Sequence, residues 1–174
     1  MSQPSQADIF AALQAQSSSS RKRPPTQLIS DLPEGEDAKA SLTNGQGTNV
    51  TKIHCFRQGC GCVILAPGVG QWISADSNLI PSEDGSPFPG SNASPDNQSA
   101  YWHITGSPMS FDNIGFSKPS ELKSLSLNAP GNASGKKVKW LSCADCDLGP
   151  VGWSFEGGTE AWLAVERVRY GVKP

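Results

Sequence analysis

The sequence predicts a mainly β fold, and three observations carry that prediction. From about residue 50 onward, short apolar stretches recur with a period of two, Gly and Pro punctuate them, and no helical periodicity longer than two turns is present. Taken in chain order, GCVILA (61–66) is a continuous apolar run bounded by Gly and Pro-Gly, the pattern of a fully buried strand. AYWHITG (100–106) combines aromatic and β-branched residues, which suit a pleated surface. In KVKWLSC (137–143), Val138 and Trp140 alternate with lysines, and in VGWSFEG (151–157), Val151, Trp153 and Phe155 alternate with Gly, Ser and Glu. Both read as half-buried strands. AWLAVERVRY (161–170) is the last candidate. Two turn-rich insertions separate these runs, at 74–99 and 126–137, and the first is too long for an ordinary hairpin loop and is expected to be mobile.

The first 48 residues differ in character. They are polar, poor in aromatics and rich in Ser, Gly, Pro and Asn, so they bury too little apolar surface to offset the entropy of ordering. The reading is a disordered tail over 1–48 and a single folded domain over 49–174. Within the tail, DIFAALQAQ (8–16) has the pattern of a short helix capped by Asp8, with Ile9, Ala12 and Leu13 on one side. The basic RKR at 21–23 is too brief to serve as a nuclear address.

Charge and composition exclude several classes. A net charge of −2 gives no pull toward nucleic acid or anionic lipid, and no apolar run approaches the roughly 18 residues of a membrane span. The N-terminus has no basic segment followed by an apolar core, so a cytoplasmic protein is expected. The four Asn-x-Ser/Thr sequons at Asn49, Asn92, Asn97 and Asn132 are then chance products of a Ser- and Asn-rich chain.

Five cysteines, an odd number in two tight clusters, argue against a disulfide framework. Cys143-x2-Cys146 and Cys55-x4-Cys60 are instead two knuckles, each able to turn both sulfurs toward one tetrahedral ion. Four thiolates fill the coordination sphere, which is the arrangement of one structural rather than catalytic zinc. Such an ion contributes on the order of 10–16 kcal/mol in small peptides, comparable with the whole net stability of a domain. Cys60 and Cys62 point to the same side of an extended chain, so either could face the metal. Glycines on both sides permit a turn at Cys60, whereas Cys62 leads into the apolar Val-Ile-Leu run. Cys60 is therefore preferred as the ligand and Cys62 as a buried free thiol.

The blocks HCFRQGCGCVILAPG, PMSFDNIGFSK, KWLSCADCDLGPVGW and AWLAVERV, in this order, resemble the Mss-four type proteins, accessory proteins of Rab GTPases. The resemblance spans roughly residues 50–170 and leaves the tail outside. It implies irregular coiled β-sheets stapled by a four-cysteine zinc site, which falls here on Cys55, Cys60, Cys143 and Cys146. The first knuckle is wider here than in the mammalian form. The resemblance also implies a monomeric guanine-nucleotide release factor, or chaperone of nucleotide-free Rab, in post-Golgi vesicle transport, with membranes reached only through the partner. Its Rab-facing surface would comprise Asp145 together with Phe111, Asp112, Asn113, Ile114, Gly115 and Phe116, although at least one of the two phenylalanines is expected in the core.

The chemistry of the second knuckle is compatible with that role. A tetrathiolate zinc carries a formal charge of −2, and Asp145 and Asp147 deepen the negative field. Such a knuckle repels phosphate and attracts the basic or Mg²⁺-binding elements with which a GTPase holds its nucleotide. The bland reading of Asp145 is a turn residue bonded to local backbone.

Two other classes fit less well. A zinc hydrolase or deaminase needs an open metal position and a general acid or base, and the His-x-Glu…Pro-Cys-x-x-Cys pattern is missing, since His54 precedes Cys-Phe and Ser142 precedes the CxxC. His103, in YWHIT, reads as a satisfied strand histidine. A redox enzyme built on Cys62 lacks an adjacent activating base. A nucleic-acid-binding zinc ribbon fits the knuckles but not their acidity.

Overall fold

The computed structural model describes residues 5–9, 23–77, 79–82, 84–89, 96–119, 129–131 and 135–173. Two antiparallel sheets dominate. The smaller contains β1 (Thr26–Gln27), β2 (Ile53–Cys55), β3 (Val63–Leu65) and β10 (Val168–Gly171), in the order β1-β10-β2-β3. The larger contains β4 (Gln71–Asp76), β5 (Gln98–Ile104), β6 (Ile114–Phe116), β7 (Val138–Cys143), β8 (Gly152–Phe155) and β9 (Ala161–Ala164), in the order β4-β5-β9-β8-β7-β6. Among the described residues helical structure is slight: α1 (Ala38–Leu42), capped by the Asp37 carboxylate on the N–H groups of Lys39 and Ala40, and a few single turns. The mainly β reading of the sequence holds.

The main core lies between the sheets. Ile53, Ile64, Val168 and Tyr170 of the smaller sheet meet Trp102, Ile104, Leu141 and Leu163 of the larger. One hydrogen-bonded chain bolts the two layers together: the Trp102 Nε1–H donates to the Tyr170 hydroxyl (3.0 Å), which donates to the Val165 carbonyl (2.8 Å). A second cluster covers the opposite face of the larger sheet, where Trp153, Phe155, Trp162, Tyr101 and Val138 lie beneath Leu79, Ile80 and Ala129. This second layer corrects the half-buried reading of VGWSFEG. All four residues of β8 are buried, Trp153 and Phe155 in the outer cluster, and Val151 joins the inner core instead of sharing their face. Gly152 is required there because a Cβ would lie 1.9 Å from the Trp162 carbonyl oxygen.

AWLAVERVRY is not one strand. A 3-10 turn over Val165–Arg167 carries the chain from the larger sheet into the smaller. Arg167 is 8% exposed at this corner, and its guanidinium donates to the carbonyls of Pro150 (2.8 Å), Pro81 (3.2 Å) and Ile80 (3.4 Å) and to Ser82 Oγ (2.9 Å). Phe88 stacks against it, with the guanidinium carbon 4.7 Å from the ring centroid. The insertion expected to be mobile is thus partly built into the fold. Strands β4 and β5 extend into it at both ends, and its apolar residues are buried: Leu79 and Ile80 on the outer face of the larger sheet, Phe88 in the main core.

Folded elements also begin before residue 49. β1 pairs with β10, and Ile29, Leu32 and Leu42 pack on the main core, so sparse apolar residues in a polar segment suffice once long-range pairing is available. Farther upstream, residues 6–9 form a helical turn capped by Ser5, not Asp8. The Asp8 carboxylate accepts from the Ser5 N–H (3.1 Å) and hydroxyl (2.6 Å), and the Asp8 N–H donates to Ser5 Oγ (3.2 Å), a capping box one turn ahead of the expected cap. Ala12 and Leu13, expected on the same helix, lie outside the described residues.

Replacing Tyr170 with Phe removes the bolt's middle link and leaves the Trp102 N–H buried without an acceptor. The expected loss is about 1–3 kcal/mol, read as a lower denaturation midpoint with an unchanged m-value.

Candidate metal centre

Each knuckle is shaped by its own backbone bonds. In the first, Cys55 closes β2, its N–H donates to the Cys62 carbonyl (2.9 Å), and the Cys60 N–H donates to the Arg57 carbonyl (3.1 Å). Gly59 and Gly61, at φ +94° and +67°, supply the left-handed turns around Cys60. His54 is buried, with Nδ1 3.2 Å from the Gly61 carbonyl oxygen, so its ring fastens the end of this loop to the strand. In the second knuckle, Cys143 ends β7, its N–H donates to the Leu148 carbonyl (3.0 Å), and its carbonyl accepts from the Asp147 N–H (2.9 Å). Asp147 sits at φ 58°, a conformation that Asp tolerates better than most residues. The Gly149–Pro150 peptide that follows is cis.

The sulfurs of Cys55, Cys60, Cys143 and Cys146 all lie within 4.8 Å of one another. Cys55 and Cys146 are 3.5 Å apart and Cys60 and Cys143 are 3.8 Å apart. A tetrahedron with metal–sulfur bonds of about 2.3 Å has edges of about 3.8 Å, so the donor set fits a closed tetrathiolate ion. Cys62 falls outside this set and is half-buried, more open than the buried thiol expected. Burial pushes the Cys60 thiol up to about 11 and the Cys62 thiol up to about 12, and raises Cys55 further. For Cys146 burial acts in the same sense, but the Leu148 N–H and the neighbouring thiols outweigh it and hold it below its ordinary value. Ionising Cys55 and Cys60 therefore calls for a compensating cation, which a divalent metal supplies.

The block from Phe111 to Phe116 connects the two knuckles. The Asp112 N–H donates to the Ile64 carbonyl (3.0 Å), the Asn113 amide donates to the Val63 carbonyl (2.7 Å), and the Asn113 carbonyl accepts from the Ala144 N–H (3.1 Å). Ile114, Gly115 and Phe116 form β6, paired with β7 from Cys143 to Leu141. Phe111 is buried in the main core, and Phe116 is half-buried with its ring 6.3 Å from that of Phe111. Of the partner-facing residues expected, Asp112, Asn113 and Asp145 are exposed and Phe111 is not. Asp145 Oδ2 lies 3.6 Å from Cys60 Sγ, which places the carboxylate against the metal centre. Met109, which the sequence reading did not single out, stands 90% exposed in the 3-10 turn before this block. In a Pro-Met-Ser-Phe string nothing distinguishes it from a buried turn residue. His103 stacks on Trp162 and meets Glu160 at 2.8 Å, far from any ligand role.

The sequence profile of the Mss4 protein family matches residues 48–170, which takes in both knuckles and all strands except β1 and the last residue of β10. A Drosophila melanogaster protein named "Guanine nucleotide exchange factor MSS4 homolog" is 27% identical over 135 residues, covering 76% of this chain and 94% of that protein.

Two outcomes are expected from this geometry. Elemental analysis should find one metal ion per chain, lost on Cys143→Ser with unfolding of the domain and retained on Cys62→Ser. Protons compete with the metal for Cys55 and Cys60, so metal should be held at neutral pH and released as the pH falls, with thermal stability falling in parallel.

Proposed function

The chain belongs to the Mss4 family, and from that membership we propose that it binds a Rab-type small GTPase, prefers the nucleotide-free form and so promotes guanine-nucleotide release or chaperones the empty GTPase. The observation that carries this reading is the family match across both knuckles and the strands between them. The name of the Drosophila relative points the same way. The setting is vesicle transport, and the protein acts as a cytoplasmic monomer that reaches membranes through its partner. The ion at the four cysteines is zinc, since a closed set of four thiolates suits that metal and leaves no position for substrate. Its task is structural.

No bond chemistry is required. Nucleotide release follows if the protein binds empty GTPase more tightly than the loaded form, because a ligand shifts an equilibrium only by its differential affinity. The exposed Asp145 carboxylate lies against the thiolate centre, Asp112 is a second exposed acid on the block from Phe111 to Phe116, and Met109 is exposed in the turn before that block. Thiolate charge and carboxylates together repel phosphate and attract the cationic elements that otherwise cradle it.

Asp145→Ala should weaken binding to nucleotide-free Rab by about 1–3 kcal/mol if the carboxylate is buried in the complex, with metal content and melting temperature nearly unchanged. Calorimetric titration against empty and GTP-loaded Rab tests the main claim. Equal affinity for both would refute it, because linkage requires that a protein favouring release be displaced by nucleotide and Mg²⁺.

A further inference from the structure

We infer that Arg23 is a positioning residue of the metal centre, held against the first knuckle by an N-terminal strap. The strap lies ahead of the residues matched by the family profile, which begins at 48. Its attachment is well defined. Thr26 and Gln27 pair with Gly171 and Tyr170, the Val172 N–H donates to the Pro25 carbonyl (3.1 Å), and Arg169 donates through Nε to Thr26 Oγ1 (3.0 Å) and through Nη2 to the Thr26 carbonyl (3.3 Å). Ile29 and Leu32 anchor its other end on the main core. The backbone is therefore fixed two residues from Arg23.

From there the Arg23 side chain runs along the turn that presents Cys60. A Cβ placed on Gly61 would lie 3.0 Å from Arg23 Cδ and 3.1 Å from Cγ, and one on Gly59 would lie 3.2 Å from Nη1. The positive φ angles that demand glycine on both sides of Cys60 leave a ledge of bare backbone, and the arginine stem covers it. Cys60 is the sulfur this ledge carries, half-buried and 3.6 Å from the Asp145 carboxylate. A tetrathiolate ion with Asp145 beside it concentrates negative charge at this point, and Arg23 places a permanent positive charge one residue away from the ligand. Its consequences are two: the stem keeps the turn in shape when Cys60 would swing out, and the guanidinium attracts the anionic centre toward the ledge. Both slow the first step of metal loss, detachment of this ligand.

This inference rests on the metal-centre reading, and the experiment separates them. Metal content of the full-length protein is measured first; release into excess 4-(2-pyridylazo)resorcinol is then followed for wild type, Arg23→Ala and Arg23→Lys at low and high salt. Arg23→Ala should release metal roughly two- to fivefold faster at low salt, the range of a surface charge interaction. Arg23→Lys should restore most of the retention, and the gap between wild type and Ala should shrink at high salt. The melting temperature of the loaded protein should not change, since β1 stays paired. A wild-type protein without metal overturns both the centre and the brace. A metal-loaded Arg23→Ala protein that releases at the wild-type rate overturns the brace alone. So does faster release that Lys does not rescue and salt does not alter, which would reduce Arg23 to ordinary packing.

Discussion

The meeting of four sulfurs is the constraint on which the rest of the fold depends, because it joins the ends of strands that belong to different sheets. Cys55 terminates β2 in the smaller sheet and Cys143 terminates β7 in the larger. The apolar core between the layers accounts for their packing over its whole width, and Trp102 with Tyr170 fixes it in the middle. Near the knuckles the strands are short and turns are frequent, and Phe56, Phe111, Phe116 and Leu148 pack on or in the main core beside the cysteines. A small domain with this much irregular backbone has little surplus stability. An ion held by all four cysteines would bond to both layers, and the block from Phe111 to Phe116 adds hydrogen bonds to both sides of the same joint.

The position of the acidic residues follows from that joint. A turn that directs two sulfurs inward must direct the residues between them outward, so Ala144 and Asp145 are exposed as a matter of geometry. The same reasoning explains why Phe111 and Asn113 serve the scaffold while Asp112 between them faces solvent. Along this segment a buried Phe111 is followed by exposed Asp112 and Asn113 and then by half-buried Ile114, Gly115 and Phe116. A partner docking here would touch side chains whose backbones are also spoken for by the metal centre, so recognition and folding draw on one stretch of sequence.

Much of this was legible before any coordinates. Cysteine spacing announced two knuckles because a tetrahedral site needs ligands close in sequence on each side, and Cys60 was separable from Cys62 because only Cys60 has glycines on both sides. Strands with aromatic or β-branched runs were equally plain. What escaped was set by partners distant in the chain. β1 is two residues long and exists only through β10, and nothing local in Thr26–Gln27 records that pairing. The corner at Val165–Arg167 was hidden inside an apparently continuous strand, because Glu166 and Arg167 suit an exposed position as well as a turn. Burial of Arg167 depends on the carbonyls that meet it, which no periodicity reports. Met109 was missed for the converse reason: exposure of an apolar side chain is a property of the assembled surface.

Arg167 has a consequence for how this protein can diverge. Three of its four acceptors are main-chain carbonyls, those of Ile80, Pro81 and Pro150. A guanidinium that reads backbone is indifferent to the side chains displayed there. Apart from the buried Leu79, Ile80 and Phe88 and the Ser82 hydroxyl, the insertion between β4 and β5 can therefore exchange residues while its course near this corner stays the same. Drift in the loop and permanence of its path are compatible because one buried cation answers chiefly to the peptide unit.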